Sequence, residues 1–108
     1  MRGFLVLVLC LTLAGTVNAK GNAEKGKAKA AQVCAACHGA DGAKPTAPEN
    51  PMLAGQYPDY LVKALSDYKT GKRTNPIMKA FADPLSKQDI EDLAAWFSTQ
   101  KSDLHFQR

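Results

Sequence analysis

The chain has 108 residues, of which 45% are hydrophobic and 22% are charged, and its formal net charge is +4 at pH 7. A chain of this length fits a single domain. The positive excess is mild and is not gathered into the dense basic stripe of a nucleic-acid-binding protein, so we expect no nucleic-acid partner.

The first 19 residues have the pattern of an export signal. Arg2 gives a positive start, residues 4–13 form an almost unbroken apolar run, and residues 17–19 end in small side chains. The apolar run is shorter than the about 20 residues that span a bilayer. We therefore predict cleavage after Ala19, release into the periplasm without a membrane anchor, and one mature domain of residues 20–108. An uncleaved signal that tethers the chain to a larger complex is the alternative.

The first predicted helix follows Asn22, a good N-cap residue. Residues 23–31 are mostly Ala, Lys and Glu, which favour helix formation. Gly26 costs about 1 kcal/mol relative to alanine inside a helix, and Ala30, one turn later, is also small. Two small residues on one face indicate that another helix approaches closely.

Residues 34–38 read C-A-A-C-H, the spacing at which a c-type haem is attached. The two thiols add to the haem vinyl groups and the histidine binds the iron. On a helix, Cys37 and His38 return to nearly the same face as Cys34. We therefore predict one covalently bound haem c, attached through Cys34 and Cys37, with His38 as an axial ligand of the iron.

Two alternatives use the same residues, namely a thiol redox pair and half of a zinc site. A thioredoxin-like pair is expected within a βαβ pattern, whereas this motif follows an Ala/Lys-rich helical segment and precedes a loop. A zinc site would need further ligands, and the chain's other histidine is His105, close to the C-terminus.

The rest of the chain predicts a loop and two more helices. Glycines and prolines punctuate residues 39–51, which indicates a loop on the His38 side of the haem. Pro58 suits the first position of a helix that Gly71 ends. Ser86 can cap a last helix with one apolar stripe. The predicted fold is all-α, with three main helices and loops wrapped around the haem.

A second axial ligand would separate an electron carrier from a haem catalyst or gas binder. Met52 fits an ordinary core role, and His105 lies near a terminus, where chains fray. Residues 72–79 are predicted as a polar, proline-led loop between two helices, and Met78 in this loop is far enough after His38 to reach the other face of the haem. We prefer Met78, with Met52 second and His105 third. An open position would instead need a distal acid or base, and no residue can be assigned to that role.

Four segments together resemble the class I c-type cytochromes. They read C-A-A-C-H-G-A-D-G at 34–42, P-M-L-A-G-Q at 51–56, N-P-I-M at 75–78 and L-S-K-Q-D-I-E-D-L-A-A-W-F at 85–97. The similarity covers essentially all of residues 20–108. It is greatest to small soluble single-haem members and to one half of the two-haem periplasmic cytochromes c4.

The resemblance implies a soluble electron carrier rather than an enzyme, and we expect a monomer, although the sequence leaves the oligomeric state open. The resemblance implies His38 and Met78 as axial ligands, and single electrons passing through the exposed haem edge between redox protein partners. It also implies that the N- and C-terminal helices cross, with Gly26 packed near Leu93 and Trp96. The loops expected to border the haem carry four basic residues that could form a docking ring for an acidic partner. These residues are Lys44, Lys72, Arg73 and Lys79.

Overall fold

The computed structural model describes Gly3 and residues 21–102. Within those residues all regular structure is helical, as predicted. The helices are α1 (Ala23–Val33), α2 (Ala35–His38), α3 (Pro58–Thr70), α4 (Pro76–Ala82) and α5 (Lys87–Ser98). The predicted export signal with its cleavage point, and His105, lie outside the described residues. No helix in the described part of the chain is long and apolar enough to cross a membrane.

The three main helices, α1, α3 and α5, have the start and stop signals expected from the sequence. The Asn22 side chain caps α1 by accepting a backbone hydrogen bond, and Pro58 occupies the first turn of α3. Gly71 ends α3 at a φ of 84°, a left-handed conformation that glycine adopts without strain. Ser86 and Asp89 form a reciprocal capping box at the start of α5.

Helices α1 and α5 cross at Gly26. A Cβ atom on Gly26 would lie 1.9 Å from the carbonyl oxygen of Asp92 and 2.9 Å from the Cβ of Trp96, so only glycine allows this approach. Beside the crossing, the backbone N–H of Asn22 donates to the buried Asp92 carboxylate at 2.7 Å. The implied crossing is present, and the backbone of Asp92 is the nearest neighbour of Gly26, closer than Trp96.

The core lies between these three helices and one wall of a cavity. Its buried apolar residues are Ala30, Leu61, Leu85, Ile90, Leu93, Ala94 and Phe97. Helix α5 supplies the largest share of them. Four of the seven also face the cavity, namely Leu61, Leu85, Leu93 and Phe97. These four core residues therefore also form part of the apolar wall of the cavity.

Two short helices add to the three that the sequence predicted. Helix α2 follows α1 after an interruption at Cys34 and carries the rest of the C-x-x-C-H motif. Helix α4 begins at Pro76, within the segment predicted as a loop. The Asn75 side chain accepts hydrogen bonds from the N–H groups of Ile77 and Met78, both at 3.1 Å, and Pro76 fits the first helical position. Met78 therefore lies in the first turn of a helix and not in a loop.

Candidate cofactor site

A cavity of about 510 Å³ opens between α2, α3, α4, α5 and residues 49–56. This volume lies within the range of pockets that enclose organic ligands and cofactors. Most of the side chains that line it are aliphatic or aromatic. The lining includes both predicted attachment residues, Cys34 and Cys37, and three candidate iron ligands, His38, Met52 and Met78.

His38 is the most constrained of these residues. Its side chain is buried, with 6% of the residue exposed. Its Nδ1 lies 2.8 Å from the carbonyl oxygen of Pro51. Because a carbonyl oxygen can only accept, Nδ1 carries the hydrogen and donates it, which leaves Nε2 with a lone pair for a metal. The imidazole thus has the tautomer and the orientation of a metal ligand.

The loop after α2 holds the end of that helix in place. The Thr46 N–H donates to the Cys37 carbonyl oxygen at 3.0 Å, and the Asn50 side chain donates to the same oxygen at 3.1 Å. We call His38, Pro51, Thr46 and Asn50 the histidine side of the cavity. The loop lies against His38, as the sequence predicted.

Cys34 and Cys37 are both half-buried, and neither forms a disulfide. Burial raises the pKa of the Cys34 thiol to about 11, so this thiol is protonated at neutral pH. A thiol redox pair requires a stabilised thiolate, and this environment has the opposite effect. Within residues 21–102 no three His, Cys, Asp or Glu side chains are grouped so that they could hold a metal ion. The described part of the chain therefore lacks the ligand set of a zinc site.

Helix α4 forms another part of the cavity wall. We call α4 with its flanking residues 72–75 and 83–85 the methionine side of the cavity. Met78 is half-buried, whereas Ile77 and Phe81 are 67% and 42% exposed. Ala82 is the buried residue of this helix. The larger apolar residues of α4 thus line the cavity, and Leu85, just after the helix, joins the buried core.

The four residues predicted to form a docking ring are exposed but not equivalent. Arg73 lines the cavity, and within the described residues no other arginine or lysine does so. Its guanidinium lies over the Tyr68 ring, 4.9 Å from the centroid, and donates to the Tyr60 hydroxyl at 3.4 Å, a bond that raises the guanidinium pKa further. Lys79 pairs with Asp83 at 2.9 Å, which offsets its charge. Lys44 and Lys72 lie outside the cavity wall.

Sequence reasoning missed two residues that orient the candidate ligands. Pro51 acts through its backbone carbonyl, a role that a pattern of side chains does not reveal. Asn75 caps α4 and binds the N–H of Met78. The sequence did contain a signal for this helix start, since asparagine is a typical N-cap residue and proline is typical of the first helical position.

Comparison with known proteins identifies relatives along nearly the whole described chain. A profile of the family "Cytochrome c" matches residues 23–101. Cytochrome c4 of Pseudomonas aeruginosa is 53% identical over 95 residues, which cover 88% of this chain and 46% of that protein. The thiosulfate dehydrogenase electron acceptor of Stutzerimonas stutzeri is 36% identical over 95 residues, with 88% and 44% covered.

A solved structure has the same fold. The crystal structure of reduced recombinant cytochrome c4 from Pseudomonas stutzeri is 46% identical to this chain, with a TM-score of 0.70. The match covers 78% of this chain and 48% of that one. The chain thus spans about half the length of these relatives.

Proposed function

This chain belongs to the cytochrome c family, and we propose that it is a periplasmic electron carrier that turns over no substrate at its metal. Its cofactor is haem c, which, when bound, supplies an iron that gains and loses one electron. The observation that carries the proposal is one cavity lined by two thiols, one oriented imidazole and the thioethers of Met52 and Met78.

The residues of the cavity fit a covalently bound porphyrin. Cys34 and Cys37 would hold it through thioether bonds, and His38 would bind the iron through Nε2, because Nδ1 is engaged by Pro51. The apolar wall suits the faces of the macrocycle and excludes water from the metal. Arg73 supplies positive charge at the cavity wall, where the haem carboxylates need a counter-charge.

Met78 is the sixth ligand in this proposal. Met52 also lines the cavity, but it directly follows Pro51, whose carbonyl binds His38, and so it belongs to the histidine side. We assign the second ligand to the methionine side, where α4 offers Met78. Iron held by both His38 and Met78 would have no open position for substrate, and thioether ligation would raise its potential relative to two histidines.

The partners we propose are redox proteins, one a donor and one an acceptor, that meet this chain as a monomer. The name of one relative, thiosulfate dehydrogenase electron acceptor, supports such a place beside a redox enzyme. Lys44, Lys72 and Arg73 would favour an acidic partner, whereas Lys79 contributes less because Asp83 neutralises it. Export and cleavage after Ala19 would place the carrier in the periplasm. Its transfer rates should fall with added salt, since the screening length is about 10 Å at 0.1 M.

The spectrum of the protein matured with haem tests this function. We expect low-spin ferric iron with a long-wavelength sulfur-to-iron absorption band, a reversible one-electron potential, and no catalysed peroxide consumption. High-spin ferric iron at neutral pH with rapid peroxide turnover would contradict the carrier and favour a haem catalyst. A colourless preparation from haem-maturing cells would contradict haem attachment altogether.

A further inference from the structure

Helix α4 is too short to hold Met78 in place by itself. It has seven residues, and isolated helices shorter than about 12 residues are marginal in water. Its buried residue is an alanine, Ala82, and its larger apolar residues, Ile77 and Phe81, line the cavity. Polar contacts with the neighbouring helix α3 add a second means of fixing α4.

Lys69, in the last turn of α3, makes the central contacts. Its half-buried side chain places Nζ 2.8 Å from the carbonyl oxygen of Asp83 and 2.5 Å from that of Leu85. Lys79 on α4 makes the reverse contact to α3. Its Nζ donates to the Lys69 carbonyl oxygen at 3.1 Å and to the Asp83 carboxylate at 2.9 Å. We call Lys69, Lys79, Asp83 and Leu85 the lysine clamp.

The chemistry of the clamp favours a cation at this place. The carbonyl groups that end a helix lack partners within it and carry partial negative charge. Lys69 gives one ammonium group to two carbonyls just after α4, so the main chain leaving the helix is tied to α3. A comparable lysine on α3, Lys63, pairs with Asp67 on its own helix and makes no such connection.

We propose that Lys69 is a positioning residue for the sixth iron ligand. By fixing the main chain after α4, it holds Met78 at the iron and resists displacement of the thioether by an external ligand. The inference rests on the proposed function, because it requires Met78 to bind the iron. Lys79 has a smaller effect, since its side chain is 47% exposed and its ion pair with Asp83 is screened by water.

Imidazole titration of the ferric holoprotein tests the inference, with loss of the sulfur-to-iron band as the signal. Imidazole competes with the thioether, so a looser α4 gives a lower apparent Kd. We expect Lys69→Met to lower this Kd about tenfold, equivalent to about 1.4 kcal/mol, and Lys79→Met to lower it less. Lys69→Arg keeps a cationic donor and should recover most of the parent value. The matched control, Lys63→Met, removes a lysine from the same helix and should stay within about twofold of the parent.

The outcomes separate the inference from the function on which it rests. If the parent lacks the sulfur-to-iron band, the proposed function fails and the inference fails with it. If the parent has the band and Lys69→Met binds imidazole no more tightly than Lys63→Met, the inference alone is wrong. The midpoint of unfolding in guanidinium chloride is measured for each variant. A lower midpoint for Lys69→Met with unchanged imidazole affinity would mean that Lys69 stabilises the fold without positioning the ligand.

Discussion

The histidine side and the methionine side of the cavity hold their candidate ligands by different means. His38 is buried, hydrogen-bonded to Pro51, and carried by a short helix that the following loop ties down. Met78 lies on a seven-residue helix held by the Asn75 cap and the lysine clamp. His38 is therefore fixed by its own burial and hydrogen bond. Met78 is only half-buried, and its helix depends on polar contacts in addition to the packing of Ala82 and Leu85. We expect the methionine side to open first under stress.

The largest expected effect comes from removing the ligand of the histidine side. In His38→Ala the buried imidazole is lost, and with it the ligand that lies beside both attachment thiols. We expect little or no stable low-spin holoprotein, measured as haem absorbance per polypeptide after maturation in the periplasm. His105→Ala is the control and should keep the parent spectrum. Full low-spin haem in His38→Ala would show that this side does not hold the iron.

Removing the ligand of the methionine side should be less severe. In Met78→Ala both thiols and His38 remain, so we expect the haem to stay attached. The sulfur-to-iron band should disappear and the potential should fall by on the order of 0.2 V, a fraction of the about 0.8 V that axial ligands span. Met52→Ala should keep the band. A band that survives in Met78→Ala and is lost in Met52→Ala would reverse the assignment of the two methionines.

Two asparagine caps sharpen the comparison with substitutions of equal chemistry, Asn75 on the methionine side and Asn22 at the start of α1, the helix that precedes the haem-attachment motif. Replacing an N-cap asparagine by alanine costs about 1 kcal/mol. Asn75→Ala should lower the apparent Kd for imidazole about fivefold, because α4 loses the bond to the Met78 N–H. Asn22→Ala should lower the free energy of unfolding by about 1 kcal/mol and leave imidazole affinity unchanged, because α1 is packed on α5. Equal imidazole affinities in the two variants would contradict the expectation that the methionine side is held less firmly than the histidine side.

The smallest effect concerns charge at the cavity wall. Arg73→Gln should lower the potential by tens of millivolts, since a nearby cation favours the form with one more electron, and Lys72→Gln should change it less because Lys72 lies outside the wall. The Tyr60 hydrogen bond raises the pKa of the Arg73 guanidinium, so the charge and the difference between the variants should persist into alkaline solution. The potentials are measured by voltammetry. Equal shifts in potential for both variants would contradict the placement of Arg73 nearer to the haem than Lys72.

The histidine side could be predicted from the sequence because its determinants are local. Cys34, Cys37 and His38 are adjacent in the chain, and the caps at Asn22 and Ser86 act within one turn. The glycine at the helix crossing was recognised from a small-residue pattern and from the family resemblance.

The methionine side was harder to predict because its contacts join residues far apart. No local pattern shows that Lys69 reaches the carbonyl of Leu85, or that Arg73 reaches the Tyr60 hydroxyl. The segment around Pro76 was therefore predicted as a loop, although the Asn75 cap signal was available to indicate a helix. A helix of seven residues is shorter than the window of about 11–18 residues over which helical periodicity is read from a sequence.

The one tryptophan of the chain gives this molecule an intrinsic optical probe. Trp96 stands at the crossing of α1 and α5, where its indole N–H donates to the Ala40 carbonyl oxygen at 3.3 Å and the Lys27 ammonium lies 5.5 Å from its ring. Energy transfer to a bound porphyrin would quench the Trp96 fluorescence, and separation of the two helices would restore it. Fluorescence would then report the separation of α1 from α5, and visible absorbance would report the opening of the methionine side. Both signals could be recorded in one cuvette without any added label.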